Sequence, residues 1–292
     1  MTKDRKSHYF KLRDSWIKRH RKIHSSLWEK HEDALLWIKK NSKNLALSSA
    51  TGLLLLAHPA NASTLVNQIA PTPPTQERGS QTKESLVEKL KTILPSTVQP
   101  LTKDQSSKIE EVLSDTFHLK ARVELEGITL NRSYGIIGAE QHLMRYPGDS
   151  MATHFASADD SMYYSSGMAP GRGAWGYFTG SVNSMSPKDV LREKYYIAVQ
   201  SFLSPNWNED PNKIYQFLKY RKMLVVNPEN GESIVVVIGD AGPAEWTGKH
   251  LGGSPEVMAH LKRQDGAAKG PVLYYFIDDP DDIIPLGPIS LN

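Results

Sequence analysis

The stretch MLVVNPENGESIVVVIGDAGPAEWTGKHLGGSPEVM, residues 223–258, constrains this chain more than any other, because it sets out two strands, a turn, a placed acid and a helix start in succession. Residues 223–226 and 233–238 are apolar and largely β-branched, and Asn230-Gly231 between them supplies the positive-φ positions that a short hairpin connection needs. Two paired strands are predicted. The second runs into Gly239-Asp240-Ala241-Gly242-Pro243, which sets a carboxylate where a buried strand gives way to a loop opened by glycine and stiffened by proline. Ser254-Pro255-Glu256 then reads as a serine N-cap, a proline at the first helical position and an acid in the first turn, so a helix is expected from there to about Leu261.

Elsewhere the periodicity is coarser. Residues 83–94 carry Leu86, Val87, Leu90 and Leu94 at helical spacing, and residues 103–117 carry Ile109, Val112, Leu113 and Thr116. Neither segment extends into a sustained heptad, so these two amphipathic helices are expected to pack onto the domain rather than form a coiled coil. Residues 121–125 and 128–134 read as short strands about Glu126-Gly127. Residues 134–150 gather Glu140, His142, Arg145 and Asp149, and 156–173 form a polar, glycine-rich loop. Residues 174–178, 195–202 and 272–277 add strand candidates, and an insertion at 203–220 carries Trp207 and the helical face Ile214, Phe217, Leu218. Strand content dominates the last two-thirds, which predicts a mainly β chain built on a small barrel with added helices.

The overall charge of +3 hides an asymmetry: residues 1–43 hold thirteen Lys and Arg against five Asp and Glu, a surplus of eight, so the remainder carries a net −5. A basic leader alone suits nucleic acid, but Trp16, Trp28 and Trp37 among the basic residues suit an anionic membrane surface, and the apolar run beyond them favours the membrane. That run, residues 45–57, is shorter than the roughly 20 residues of a spanning helix, and Ala60-Asn61-Ala62 after His58-Pro59 is the small-residue pattern of signal cleavage. Cleavage after Ala62 and export are expected, with an uncleaved anchor as the alternative. Membrane contact is then made only through the leader, nucleic acid is not a partner, and the oligomeric state is open. Zero cysteines exclude a disulfide framework, thiolate catalysis and a lipid-anchored cysteine, and suit an oxidising space. Residues 63–82, rich in Pro, Thr, Ser and Gln, read as a tether.

Val225, Asn227, Asn230, Gly231, Val235, Val237, Asp240, Gly242 and Pro243, with a glycine-containing loop and a capped helix after them, resemble the double-psi β-barrel family, in particular the rare lipoprotein A type of bacterial cell-wall protein. The resemblance implies a six-stranded double-psi-like barrel, peptidoglycan or another cell-wall glycan as partner, a secreted, periplasmic or cell-surface location, and lytic transglycosylase or glycan hydrolase activity without a cofactor. With the leader and tether read above, the chain divides into a long-leader signal peptide at 1–62, a linker with a short helix at 63–100, an α/β extension at 101–160 and the barrel at 161–292. One departure stands out. The family carries an aspartate before the cap serine, as in I-D-L-S, where this chain reads Leu251-Gly252-Gly253-Ser254. The family's G-E-x-F-D and A-A-H signatures are also not recognisable. A non-catalytic glycan-binding module and a structural envelope protein therefore stand beside the enzyme.

Glycoside cleavage needs a carboxyl that protonates the leaving oxygen, and Asp240, beside an apolar strand, is the candidate. The alternative job for Asp240 is to accept backbone N–H bonds in its glycine-rich turn. Glu140, Glu245 and Glu256 are candidates for a second acid, although the positive end of its own helix explains Glu256 more simply. His142 joins the catalytic candidates because it lies two residues from Glu140, a spacing that on a strand sends both side chains to one face. Trp175, Tyr177, Trp207 and Trp246 are candidate sugar platforms, with core packing as the alternative for each. None of the ten histidines falls in an H-E-x-x-H or similar spacing, so no metal ligands are assigned.

Overall fold

The computed structural model describes residues 75–155, 160–263 and 269–291. The leader and most of the tether lie outside them. Six helices and a mainly β body result: α1 (Thr75–Ile93), α2 (Lys103–Phe117), β1 (Ala121–Arg122), β2 (Glu124–Leu125), β3 (Ile128–Thr129), β4 (Tyr134–Ala139), α3 (Met151–His154), α4 (Pro187–Lys194), β5 (Tyr196–Val199), α5 (Pro211–Leu218), β6 (Lys222–Val226), β7 (Ser233–Ala241), β8 (Leu251–Gly253), α6 (Pro255–His260), β9 (Gly270–Ile277) and β10 (Gly287–Pro288). Among the described residues no helix is long and apolar enough to cross a membrane.

The 223–258 stretch folds as its chemistry dictates. Strands β6 and β7 pair antiparallel from Val226 opposite Ser233 to Lys222 opposite Val237, and Gly231 takes φ +74° in the connection. Asn230 Oδ1 accepts the Glu232 N–H, and the Asn227 side chain donates to the Leu261 carbonyl, which ties the hairpin to the end of α6. Ser254 caps α6 by accepting the Val257 N–H at 3.3 Å, and its hydroxyl also donates to the Lys194 carbonyl at the end of α4.

Six strands close on themselves in the order β9-β4-β8-β5-β7-β6 and back to β9. The pairs β4/β8 and β5/β7 run parallel and the other four antiparallel, a closed mixed barrel compatible with a double-psi barrel. Both faces of the main strands are covered, which is why they read as unbroken apolar runs rather than as alternation. Met223, Val225, Ile234, Val236, Ile238, Val272, Tyr274 and Phe276 fill the interior, with Val257 and Met258 of α6. Leu224, Val226, Val235, Leu273, Tyr275 and Ile277 face outward beneath Leu86 and Leu90 of α1 and Ile109, Leu113 and Phe117 of α2.

The barrel takes its first strand, β4, from within the 101–160 stretch read as an extension. Gly135 and Gly138 leave β4 without a β-branched run to announce it, and both lie where other side chains press in. Residues 174–178, a strand candidate, form a turn about the Gly173–Gly176 bridge instead. Gly176 takes φ +84° there, which breaks the extended conformation.

Candidate functional site

Across the outside of four neighbouring barrel strands the register aligns Gly138 of β4, Gly252 of β8, Ala198 of β5 and Asp240 of β7. Three of these positions carry at most a methyl, so the row is a trough in the sheet surface with a carboxylate at one end, covered at Gly138 and Gly252 by Lys249 and Glu140 and buried at Ala198. A β-bulge puts that carboxylate there. Ile197 pairs with Ile238 but Ala198 pairs with Asp240, leaving Gly239 as the extra residue. An unbroken register would set Asp240 against Val199, whose side chain belongs to the interior core. The slip sets it against Ala198 instead and turns it outward. Glycine is required at the bulge, since a Cβ at 239 would stand 2.7 Å from the Cβ of Tyr196.

Asp240 is half-buried. Its Oδ1 accepts N–H bonds from Ala174 at 2.7 Å and Ala241 at 2.8 Å, while Oδ2 takes no hydrogen bond among the described residues. Burial pushes the carboxyl up from its ordinary value, and the charge of Glu140 pushes the same way, against the two N–H bonds. One oxygen is anchored and the other has no hydrogen-bond partner among the described residues.

At the other end of the trough the glycines make room for two long side chains. A Cβ at Gly138 would overlap the stem of Lys249, and a Cβ at Gly252 would overlap Cγ, Cδ and Oε1 of Glu140. The carboxyl of Glu140 therefore occupies the space that a side chain at position 252 would take. It is fixed there by the Glu140 N–H to the Gly253 carbonyl at 2.8 Å and by Lys249 Nζ, 2.5 Å from Oε1. Asp240 and the position over Gly252 flank Ala198, two strand spacings or about 10 Å apart. Gln200 Nε2 donates to the carbonyls of Pro243 and Lys249 and so holds the loop between β7 and β8 against the trough. A cavity of about 440 Å³ opens beside Glu140, lined by Gln141, Tyr163, Pro255, Met258 and Arg263 among others. A larger one, about 730 Å³ between α1 and the β6–β7 hairpin, includes neither Glu140 nor Asp240.

The remaining candidates separate. Trp246 is 88% exposed on the loop that leads away from Asp240, and Glu245 is exposed beside it. Trp175 stacks on Tyr215 at 5.0 Å and donates its indole N–H to the Tyr215 carbonyl, and Trp207 is packed against the barrel core. Tyr177 lies beneath Arg172. Strand β4 ends at Ala139, so Glu140 and His142 do not share a strand face: Glu140 lies over the trough and His142 is fully buried.

His142 belongs to a second cluster, with Arg145, Asp149, His154 and Glu193. Asp149 accepts from Arg145 Nε at 2.9 Å and Nη2 at 3.1 Å, and faces His154 Nδ1 at 3.1 Å. The other nitrogen of His154, Nε2, lies 2.9 Å from Glu193 Oε2. Burial opposes every charge here, yet these partners outweigh it. His154 and Arg145 hold Asp149 far below the usual carboxylate range, His142 and His154 hold Glu193 below it, and Asp149 and Glu193 push His154 up to about 9. Glu256 lacks such partners: burial pushes it up to about 7 despite its place in the first turn of α6. The chain spacing of 142, 149, 154 and 193 has no regular period, so the density of functional residue types at 134–150 was the only sequence signal for this cluster.

Comparison with protein-family models and with curated proteins gives no match to this chain.

Proposed function

We propose that the barrel cleaves the glycan strands of bacterial peptidoglycan, with Asp240 as general acid and Glu140 as the second carboxylate. The observation that carries this reading is the overlap between Glu140 and the space above Gly252. The rare lipoprotein A resemblance implies an acid at position 252; here position 252 has no side chain, and the carboxyl of Glu140, the residue after β4, lies in its place. Asp240 fits the role of acid because burial and the Glu140 charge favour its protonated form, and because Oδ2 has no hydrogen-bond partner among the described residues. Protonation of the glycosidic oxygen by Asp240 would release the leaving sugar, and the Glu140 carboxylate would stabilise the positive charge left at the anomeric carbon. Closure by the sugar's own hydroxyl gives an anhydro product, and attack by water gives a reducing end. Export through the basic leader would bring the barrel to this substrate.

Incubation of the chain with purified peptidoglycan and separation of the fragments tests the reading. Anhydro-muropeptides or new reducing ends are expected, with the rate lowered about 10²–10⁴-fold in Asp240→Asn, whose amide is nearly isosteric and delivers no proton. Absence of both products from the wild-type chain refutes cleavage. The 88% exposure of Trp246 favours a second reading, a glycan-binding module without chemistry. In that case Asp240→Asn keeps its affinity for peptidoglycan and Trp246→Ala loses it.

A further inference from the structure

We infer that His142, His154 and Glu193 form a binding site for one divalent metal ion of the zinc class, which staples the loop-rich segment between β4 and α4 to the barrel. The three side chains are buried, and one ligand atom from each lies within 4.8 Å of the others. Glu193 faces both rings, with Oε1 3.4 Å from His142 Nδ1 and Oε2 2.9 Å from His154 Nε2. Ligand atoms at the corners of a tetrahedron with bonds of about 2.1 Å lie about 3.4 Å apart, so small side-chain movements would bring this set to zinc geometry.

Two observations point to a ligand beyond the proximity itself. His142 is 0% exposed, and neither of its ring nitrogens finds a hydrogen-bond partner among the described residues. Glu193 Oε1 stands 3.4 Å from Nδ1, an electrostatic contact that favours the ionised Glu193 but is longer than a hydrogen bond, and that oxygen already accepts the Leu143 N–H at 2.9 Å. A buried imidazole with both nitrogens unmet is costly, and a metal bond to one of them relieves that cost. The second observation is Asp149. It faces the far nitrogen of His154, is itself oriented by Arg145, and so stands where carboxylates stand behind metal-bound histidines to fix ring orientation and raise basicity. Without metal, His154 Nε2 carries the proton that Glu193 accepts; binding would release that proton and put the cation in its place.

The position suits a staple. His142 lies just after β4, His154 ends α3 and Glu193 lies in α4, while the chain between them holds little regular structure. The same segment delivers Ala174 to Asp240, so fixing it would also fix one of the two N–H groups that anchor that acid.

The test uses the full chain, stripped of metal by chelator and titrated with zinc alone. Expected are uptake of about one tightly held zinc per chain and a rise of several degrees in Tm, both lost in His142→Ala and in Glu193→Gln. Variants are needed because the sequence also holds His8, His20, His24 and His31, which are zinc-binding residue types outside this cluster. Zinc-edge X-ray absorption on the loaded wild type gives a readout that does not depend on the variants folding, and two imidazoles with carboxylate oxygen are expected. No retained zinc, uptake unchanged in both variants, or a coordination shell without two imidazoles overturns the inference and leaves the cluster as a proton-bridged network. Peptidoglycan cleavage is not part of the readout, so the fate of this site is independent of the proposed activity.

Discussion

The buried acids Asp149 and Glu193 and the acid Asp240 are treated in opposite ways. Asp149 and Glu193 are the more deeply buried, yet their pKa values are lowered, because Arg145 and His154 stand within hydrogen-bond reach. Asp240 is only half-buried, and its pKa is raised, because two neutral N–H groups do not offset burial and the negative charge of Glu140. Depth therefore does not decide whether an acid keeps its proton. The partners do. The inner cluster is arranged to hold charge, whereas at Asp240 the balance shifts toward the protonated form.

Removing a partner from the inner cluster is the most damaging way to probe this difference. In Asp149→Asn the Arg145 guanidinium loses its countercharge inside the protein and meets an amide that presents donors to donors. A loss of about 3–5 kcal/mol in unfolding free energy is expected from urea titration, as for other buried pairs broken on one side. A loss below about 1 kcal/mol would mean that the cluster is no more than a surface-like ion pair.

A smaller effect separates packing from chemistry in the trough. Gly252→Ala places a methyl where Glu140 lies, and a cost of about 1–3 kcal/mol is expected from the overlap. Glu140→Ala should remove most of that cost, giving a coupling of about 0.5–3 kcal/mol in a double-mutant cycle. Additive effects would show that Glu140 does not hold the space over Gly252 in solution.

How much of this was open to a reader of the sequence depended on whether the signal was local. The hairpin, the Ser254 cap and α2 were legible because β-branched runs, Asn-Gly, Ser-Pro and helical spacing act over a few residues. The acid at 240 was legible as a residue, but not its direction, because the bulge at Gly239 exists only in the pairing with β5. The position of Glu140 was harder still. Gly252 reads as a missing carboxylate until β4 is laid beside β8, where Glu140 crosses strands to cover it. His154 and Glu193 join His142 only through tertiary packing.

The mildest test is Asp240→Asn measured against pH. A carboxyl whose folded-state pKa lies above its unfolded value binds more protons in the folded chain, so its contribution to stability falls as pH rises from the unfolded value, about 3.9, through the folded one. The Asn amide oxygen still accepts the Ala174 and Ala241 N–H bonds, and it has no charge to desolvate. The variant should therefore match the wild type near pH 3 and be slightly more stable at pH 7. The gain is small, since the exposed edge of the carboxyl is screened by solvent. Thermal unfolding at the two pH values measures it. A variant less stable than wild type at pH 7 would mean that the ionised Asp240 is held as firmly as Asp149, and the contrast between the two acids would collapse. A gain in stability together with a loss of cleavage would instead mark Asp240 as an acid kept at a cost to the fold, as groups retained for chemistry commonly are.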